Sequence, residues 1–444
     1  MAKPMTQGTE WKLILLFALP LVAGNILQQL YNAVDGMVVG NFAANGENAL
    51  AAVGTSGPVT FVFLAFAIGM SGGCSVIISQ LYGARRYDEM RQAVSTSLIL
   101  VGGIGLFLTV VGGVVAKWFL MHVLSVPDSF LADAVAYLTI YCVGLVFQFV
   151  YNIVSFVLRS LGDSSATLYF LLISSVVNIV LDLIFVAVFH WDVAGVAWAT
   201  FICQGISCIL AVLFVFRRFS KIGTEGKIPV FSLKLLKDIS VIAVPSILQQ
   251  SFISVGNIII QGIINGFGPG VMAGYAASVK LNNLVITSLT TLGNGISNFT
   301  SQNLGAKKNE RIKEGFLAGV KLVWLICIPL VILYLFAGKY LVYLFLDTPS
   351  EAALETGIVF LRILSPFYFV VALKLVSDGV LRGAAMMKKF MVATFTDLIL
   401  RVLLAWLLSI PFASTGIWLA WPIGWTIAAV MSYFFYRSHK WDAK

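Results

Sequence analysis

The stretch Gln28–Gly40 reads QQLYNAVDGMVVG and sets an acid, Asp35, inside an apolar run that begins at Leu13. Ionised carboxylates are costly in hydrocarbon, and an acid within a membrane span marks a functional site by default. The reading of this run decides the fold. A buried helix of a soluble protein and a span of a bilayer make different demands on everything around it.

Composition settles the choice. Of 444 residues, 59% are hydrophobic and 11% charged, where soluble proteins average about 25% charged. Apolar runs of about 18 residues or more read as membrane-spanning helices, and most of this chain consists of such runs. A net charge of +9 would suggest nucleic acid in a soluble protein. Here the basic residues sit in short connections between apolar runs, so they orient the chain in a membrane and nucleic acid is not an expected partner. The N-terminus MAKPMTQGTEWK lacks the ordered regions of a cleavable signal peptide. Cys74, Cys142, Cys203, Cys208 and Cys327 fall inside apolar runs without metal spacing. No P-loop or Walker lysine is present, so neither ATP nor any organic cofactor is expected.

Twelve spans are predicted, at 11–40, 51–81, 92–116, 130–158, 166–189, 195–216, 238–264, 272–302, 314–337, 353–381, 389–411 and 416–436. The connections YGARRYDEMR, LRSLGD, FRRFSKIGTEGKIPVFSLKLLKD, LGAKKNERIK and LRGAAMMKK, with the two tails, hold most of the Lys and Arg. The opposite set holds Lys117 and Lys339. Positive residues stay inside, so both termini are expected in the cytoplasm of a cell that carries this protein in its plasma membrane. The basic connection 217–237 falls at the midpoint and reads as a linker between lobes at 1–216 and 238–444.

The halves echo each other. Pro20 in ALPLVAGNILQQ answers Pro245 in IAVPSILQQ, SQLYGARR from Ser79 answers SQNLGAKK from Ser301, and VLRS from Val157 answers VLRG from Val380, at offsets of 222 to 225 residues. Six spans per half make the repeat parallel, related by an axis along the membrane normal, as in transporters whose substrate lies between two bundles. The expected fold is therefore all-α, with twelve transmembrane helices in two six-helix bundles related by a pseudo-two-fold axis. Duplication kept for packing alone is the competing reading.

The order ALPLVAGNILQQLYNAVDGMVVG, LAAVG, SQLYGARR, VLRSLGD resembles the multidrug and toxic compound extrusion (MATE) family along essentially the whole chain. The resemblance implies two six-helix lobes around a cleft, a monomer, and exchange of amphipathic organic cations for protons or sodium. Within the family it is closest to the DinF-like branch, which has an acid in span one and Asn-x-x-x-Asp in span five. Asp35 matches the first, and Asn178 and Asp182 of NIVLD match the second. Thr200 matches a threonine of span six, and Tyr31 a tyrosine one turn before the span-one acid. Another branch has a glutamate in span seven; here 238–264 holds only Asp238, at its edge.

The residues support a shared site without the family. At about 1.5 Å per residue, Asp35 lies about 36 Å into span one, and Asn178 and Asp182 about 18 and 24 Å into span five. Thr200 lies about 7 Å below the outer surface on the descending span six. All of these fit in the outer half of the first lobe. Asn178 and Asp182 share a helix face, as do Tyr31 and Asp35, and neither acid has a Lys or Arg at i±3 or i±4. Low dielectric disfavours the charged form of a carboxyl group, so each acid is a candidate proton carrier. Equally, the oxygens of Asp35, Asn178, Asp182 and Thr200 suit a sodium ion. The competing reading is that these groups hydrogen-bond only to hold the lobe together.

The second lobe is more basic. Lys374 with Asp378, and Asp397 with Arg401, stand at i,i+4 spacing and read as structural clamps. Lys280 has no local partner, and Lys280, Asp378 and Arg401 are weaker candidates for the lining of a substrate cleft. Lys280 with Arg401 also hints at the alternative of a lipid-linked saccharide or lipid flippase, which needs cations for a pyrophosphate. Pro20, Pro245 and Pro366 lie inside spans, where proline frees a carbonyl and permits a bend. No acid–base or metal constellation of an enzyme is present. The chain therefore reads as an ion-coupled exporter, with a proton or Na+ as coupling ion.

Overall fold

A computed structural model describes residues 4–43, 46–124, 126–220, 222, 229–346 and 349–438. Part of the expected linker, at 221 and 223–228, and the tail 439–444 lie outside the described residues. Every regular element described is helical. The first half comprises α1 (Glu10–Phe42), α2 (Gly46–Gly83), α3 (Tyr87–His122), α4 (Asp128–Ser160), α5 (Ser165–Asp182) and α6 (Asp192–Phe219). A π-helical turn, Leu183–Val188, continues α5. The second half comprises α7 (Leu233–Asn265), α8 (Pro269–Gly305), α9 (Asn309–Tyr343), α10 (Glu351–Leu364), α11 (Tyr368–Gly383) and α12 (Met387–Arg437).

The twelve expected spans map onto these elements with two changes of grouping. The tenth span is α10 and α11 joined by a 3-10 turn at Ser365–Phe367, where Pro366 cannot supply a helical N–H. The eleventh and twelfth are the two arms of α12, separated where Ala413 leaves helical geometry at φ 49°, ψ −139°. Among the described residues, ten helical segments are long and apolar enough to cross a membrane by length and composition. Their outer faces carry bare apolar side chains, with Phe336 82% and Val114 78% exposed. In water such a surface would aggregate; in a bilayer it faces lipid.

Two compact units emerge from the packing, one spanning Leu19–Ile247 and the other Pro4–Ala18 with Leu248 onward. The chain passes between units inside α1 and α7, beside Pro20 and Pro245, and not within 217–237. In the first unit α4 packs against α2, α3 and α6, and α5 against α6. In the second, α8 packs against α9, α10 and α11, and α11 against α12. The segment before α1 belongs to the second unit through Met5 N–H donating to Gln302 Oε1 (2.8 Å), Asn303 donating to Met5 O (3.1 Å), and a Glu10–Arg311 ion pair (2.7 Å).

The internal repeat is visible in hydrogen bonds. Ser79 Oγ donates to Ser160 O (3.4 Å), and Ser301 Oγ, its counterpart, donates to Gly383 O (3.0 Å). Arg85 and Lys307 both take φ 57° just past a helix end, the left-handed geometry that closes a C-terminus.

Small residues let α11 approach α8 closely. A Cβ on Gly379 would stand 2.6 Å from Gly293 O and 3.1 Å from Ile296 Cβ. Helix association in lipid depends on such contacts, because no hydrophobic force separates helix from tail. Gly379→Val should therefore force the helices apart and lower the thermal midpoint of the detergent-solubilised protein, by about 1–3 kcal/mol or more. A midpoint equal to wild type would mean that the contact is not tight in solution.

Candidate functional site

Asp35 of α1, Asn178 and Asp182 of α5 and Thr200 of α6 come together with Tyr31 inside the first unit. Asn178 and Asp182 are completely buried, while Tyr31, Asp35 and Thr200 are partly so. The i,i+4 spacing turns Asn178 and Asp182 to one side of α5. With its amide turned to satisfy both acids, Asn178 donates to Asp182 Oδ2 (3.1 Å) and to Asp35 Oδ1 (3.0 Å). Tyr31 lies beside Asp35 and Thr200. Asp35 and Asp182 are themselves in hydrogen-bond contact, yet Asp182 Oδ1 receives no donor from the described residues.

That last point has a chemical consequence. Two carboxylate oxygens both accept, so contact between them requires a proton or a cation to sit between. No Lys or Arg forms an ion pair with either acid among the described residues. One amide, two hydroxyls and two acids thus stand together as a cage, with no Lys or Arg paired to either acid among the described residues.

Two further groups border the cage. Tyr137 of α4 lies within electrostatic reach of Asp35, Asp182 and Tyr31, and its ring stacks on Tyr141 (6.4 Å between centroids). Cys203, one turn beyond Thr200, hydrogen-bonds Asn178. A lone tyrosine or thiol in an apolar helix carries no spacing signal, so sequence alone did not single them out. The π-helical turn after Asp182 was equally silent. It adjoins the candidate site, as π-helical turns often do, and carries Phe185, whose ring stacks on Phe189 just past the turn and on Trp191 at 5.0 Å.

The MatE family profile matches residues 20–184 and 245–407, one stretch in each half. The chain belongs to the MatE family. Among curated relatives of this MatE chain is the "Probable multidrug resistance protein YpnP" of Bacillus subtilis, 28% identical over 450 residues that cover 100% of this chain and 98% of the relative. The "Probable multidrug resistance protein NorM" of Thermotoga maritima is 22% identical and covers 98% and 93%. Among solved structures, a MOP superfamily transporter from Pyrococcus furiosus superposes with a TM-score of 0.89 at 22% identity, covering 98% of this chain and 97% of the other. A MATE structure in a bent conformation gives a TM-score of 0.90 at 23% identity, covering 98% and 96%. At these identities the superpositions establish the fold.

The second lobe of the MatE chain contains the expected pairs. Lys374 Nζ stands 2.8 Å from Asp378 Oδ2, and Ser432 Oγ donates to Asp378 Oδ1 at 2.6 Å. Arg401 stands 2.8 Å from Asp397 Oδ2 and lies over the ring of Trp421 at 4.7 Å. Arg382 donates to Asn294 Oδ1 (2.5 Å) and reaches the field of Asp378. Lys280 lies over the Phe345 ring, 5.6 Å from its centroid, and no described contact joins it to Asp378 or Arg401. Asp378 pairs with Lys374 and Arg401 with Asp397, and no described contact joins the three weaker cleft candidates to one another. The two cations on which a pyrophosphate reading rests are not brought together, and Arg401 is already engaged by an acid.

Proposed function

We propose that the chain is a secondary-active exporter of amphipathic, cationic organic compounds, driven by entry of protons or sodium through the first lobe. The single observation that carries the reading is the Asp35–Asn178–Asp182 cage, two acids in contact with no cationic side chain between them. The names of the multidrug-resistance relatives support small organic compounds as the substrates.

In the cycle, substrate enters from the cytoplasm or the inner leaflet while the acids are charged. A proton or sodium ion arriving from outside then occupies the cage, with Tyr31 and Thr200 fixing the carboxylates. Occupancy shifts the balance between outward-open and inward-open states. The ion must bind those states with affinities differing by a few kcal/mol, since a ligand with equal affinity for both shifts nothing. With Lys and Arg in the inner connections, both termini lie in the cytoplasm of a plasma-membrane protein, and one chain suffices.

The test is transport in proteoliposomes loaded with a lipophilic cation dye. A proton gradient and a sodium gradient are imposed separately. Uphill accumulation under one of them, abolished by the matching ionophore, is the expected result. Equilibration of dye without accumulation under either gradient would mark a passive pathway and overturn the proposal.

A further inference from the structure

The repeat relating the two halves carries the first-lobe cage onto named positions of the second. The offset of 223 that takes Val157 to Val380 continues along the next helix, so Asn178 falls on Arg401 and Asp182 on Ala405. Beyond the following turn, where His190 (φ 56°) and Asp192 (φ 45°) are left-handed as Ala413 (φ 49°) is, aligning the glycines of VAGVAW and STGIWL sets an offset of 221. Gly195 then falls on Gly416, Thr200 on Trp421 and Cys203 on Gly424. Side-chain neighbours agree with this register. Cys203 hydrogen-bonds Asn178, and a Cβ on Gly424 would stand 3.7 Å from Arg401 Cβ. Under offsets of 222 to 225, Asp35 falls between Asn257 and Ile260, where there is no acid.

The second copy of the cage has thus lost both acids and gained a guanidinium where the first has its bridging amide. That guanidinium is held by Asp397, which is 4% exposed. It stacks on Trp421, the residue in the place of Thr200. Lys374 of α11 lies within electrostatic reach of both Asp397 and Arg401, and Tyr275 of α8 within reach of Arg401. Asp397 Oδ1 and Arg401 Nε have no hydrogen-bond partner among the described residues. Gly424 leaves open the space beside Asp397 Oδ1, since a Cβ there would approach that oxygen to 2.8 Å.

We propose that Arg401 is a tethered substitute for a monovalent cation: the second lobe holds, covalently and permanently, the positive charge that a free ion supplies elsewhere. Shortening the side chain to the amide found at the equivalent position empties the guanidinium's place. It leaves Asp397 Oδ1 and Oδ2, the amide oxygen and the face of Trp421 around it. Carboxylate and carbonyl oxygens are hard ligands suited to sodium, and an aromatic face attracts a cation. The inference rests on the ion site proposed in the first lobe, but its readout, sodium binding by a second-lobe variant against wild type, fails separately from the coupling role of Asp35.

The experiment compares full-length wild type, Arg401→Asn, Arg401→Lys and the double variant Arg401→Asn with Asp397→Asn, all purified in detergent. Thermal midpoint is followed against NaCl with choline chloride holding ionic strength, and against millimolar guanidinium. Radioactive sodium binding is counted at fixed pH. Arg401→Asn is expected to bind one more sodium per chain than wild type, and to recover a lost midpoint as sodium or guanidinium is added. Arg401→Lys and the double variant are expected to match the wild-type ion count. If Arg401→Asn is unstable in every cation, or recovers only as pH falls, Arg401 is an ordinary ion-pair partner and the proposal fails. An unchanged sodium count in a folded Arg401→Asn overturns it equally.

Discussion

Asp35→Asn is expected to leave a folded, membrane-inserted protein whose uphill transport falls to the level of protein-free liposomes under both gradients. The substitution keeps the volume and one acceptor oxygen. The amide that replaces the carboxylate can donate to the neighbouring Asp182 carboxylate. Structural damage is therefore small, and a partly exposed position tolerates it. What disappears is the second acid of the pair. With Asn at 35, Asp182 no longer needs a proton or cation to separate it from a like oxygen, and the affinity difference that couples ion to conformation collapses. Each 1.4 kcal/mol lost from that difference costs about tenfold in the ratio of states. Downhill exchange of substrate should survive, which distinguishes loss of coupling from loss of the pathway. Asp182→Asn should lose transport as well, but with a larger fall in thermal midpoint, because the side chain is fully buried and accepts from Asn178. If Asp35→Asn accumulates dye at the wild-type rate against either gradient, the cage is a structural knot and the engine lies elsewhere.

Much of this was legible in the sequence, for reasons that differ from one feature to the next. The spans were readable because lipid demands long apolar runs, and the i,i+4 clamps because helical spacing alone puts Lys374 beside Asp378 and Asp397 beside Arg401. The first-lobe cage was readable because acids are rare enough in such runs to stand out, and a resemblance pointed to Thr200 and Tyr31. Features made by tertiary contact were not. Ser432 reaches Asp378 across 54 residues, and hydroxyls are common on any membrane helix. The continuity of α12 through Ala413 and the π-helical turn after Asp182 depend on local backbone geometry that no residue type announces. The division of the units inside α1 and α7 was hidden by a more conspicuous signal. A long basic connection looks like a boundary, yet long helices can serve two bundles when a proline interrupts their hydrogen bonding.

The buried pairs of the second lobe lead to the other large expected effect. Lys374 and Asp378 are 5% and 4% exposed, and such a pair repays its desolvation only while both partners stand. Lys374→Met removes the donor from Asp378 Oδ2 and strands a carboxylate with Ser432 as its remaining hydrogen-bond partner. The expected cost is about 3–5 kcal/mol, read as a fall in the thermal midpoint and in the yield of monodisperse protein. Asp378→Asn keeps an acceptor for Ser432 and leaves Lys374 in the field of Asp397, so its cost should be smaller. The double variant, Lys374→Met with Asp378→Asn, removes both partners of the pair and takes from Arg382 only the more distant field of Asp378, so it should recover most of the loss, as buried pairs replaced together often do. Because these charges neutralise each other inside one lobe, the double variant should also pump at the wild-type rate, in contrast to Asp35→Asn. The same reasoning sets what would refute it. A double variant that is stable but no longer accumulates dye would mean that the Lys374–Asp378 charges change state during transport. The proposed division of labour, with exchange in one lobe and fixed charge in the other, would then fail.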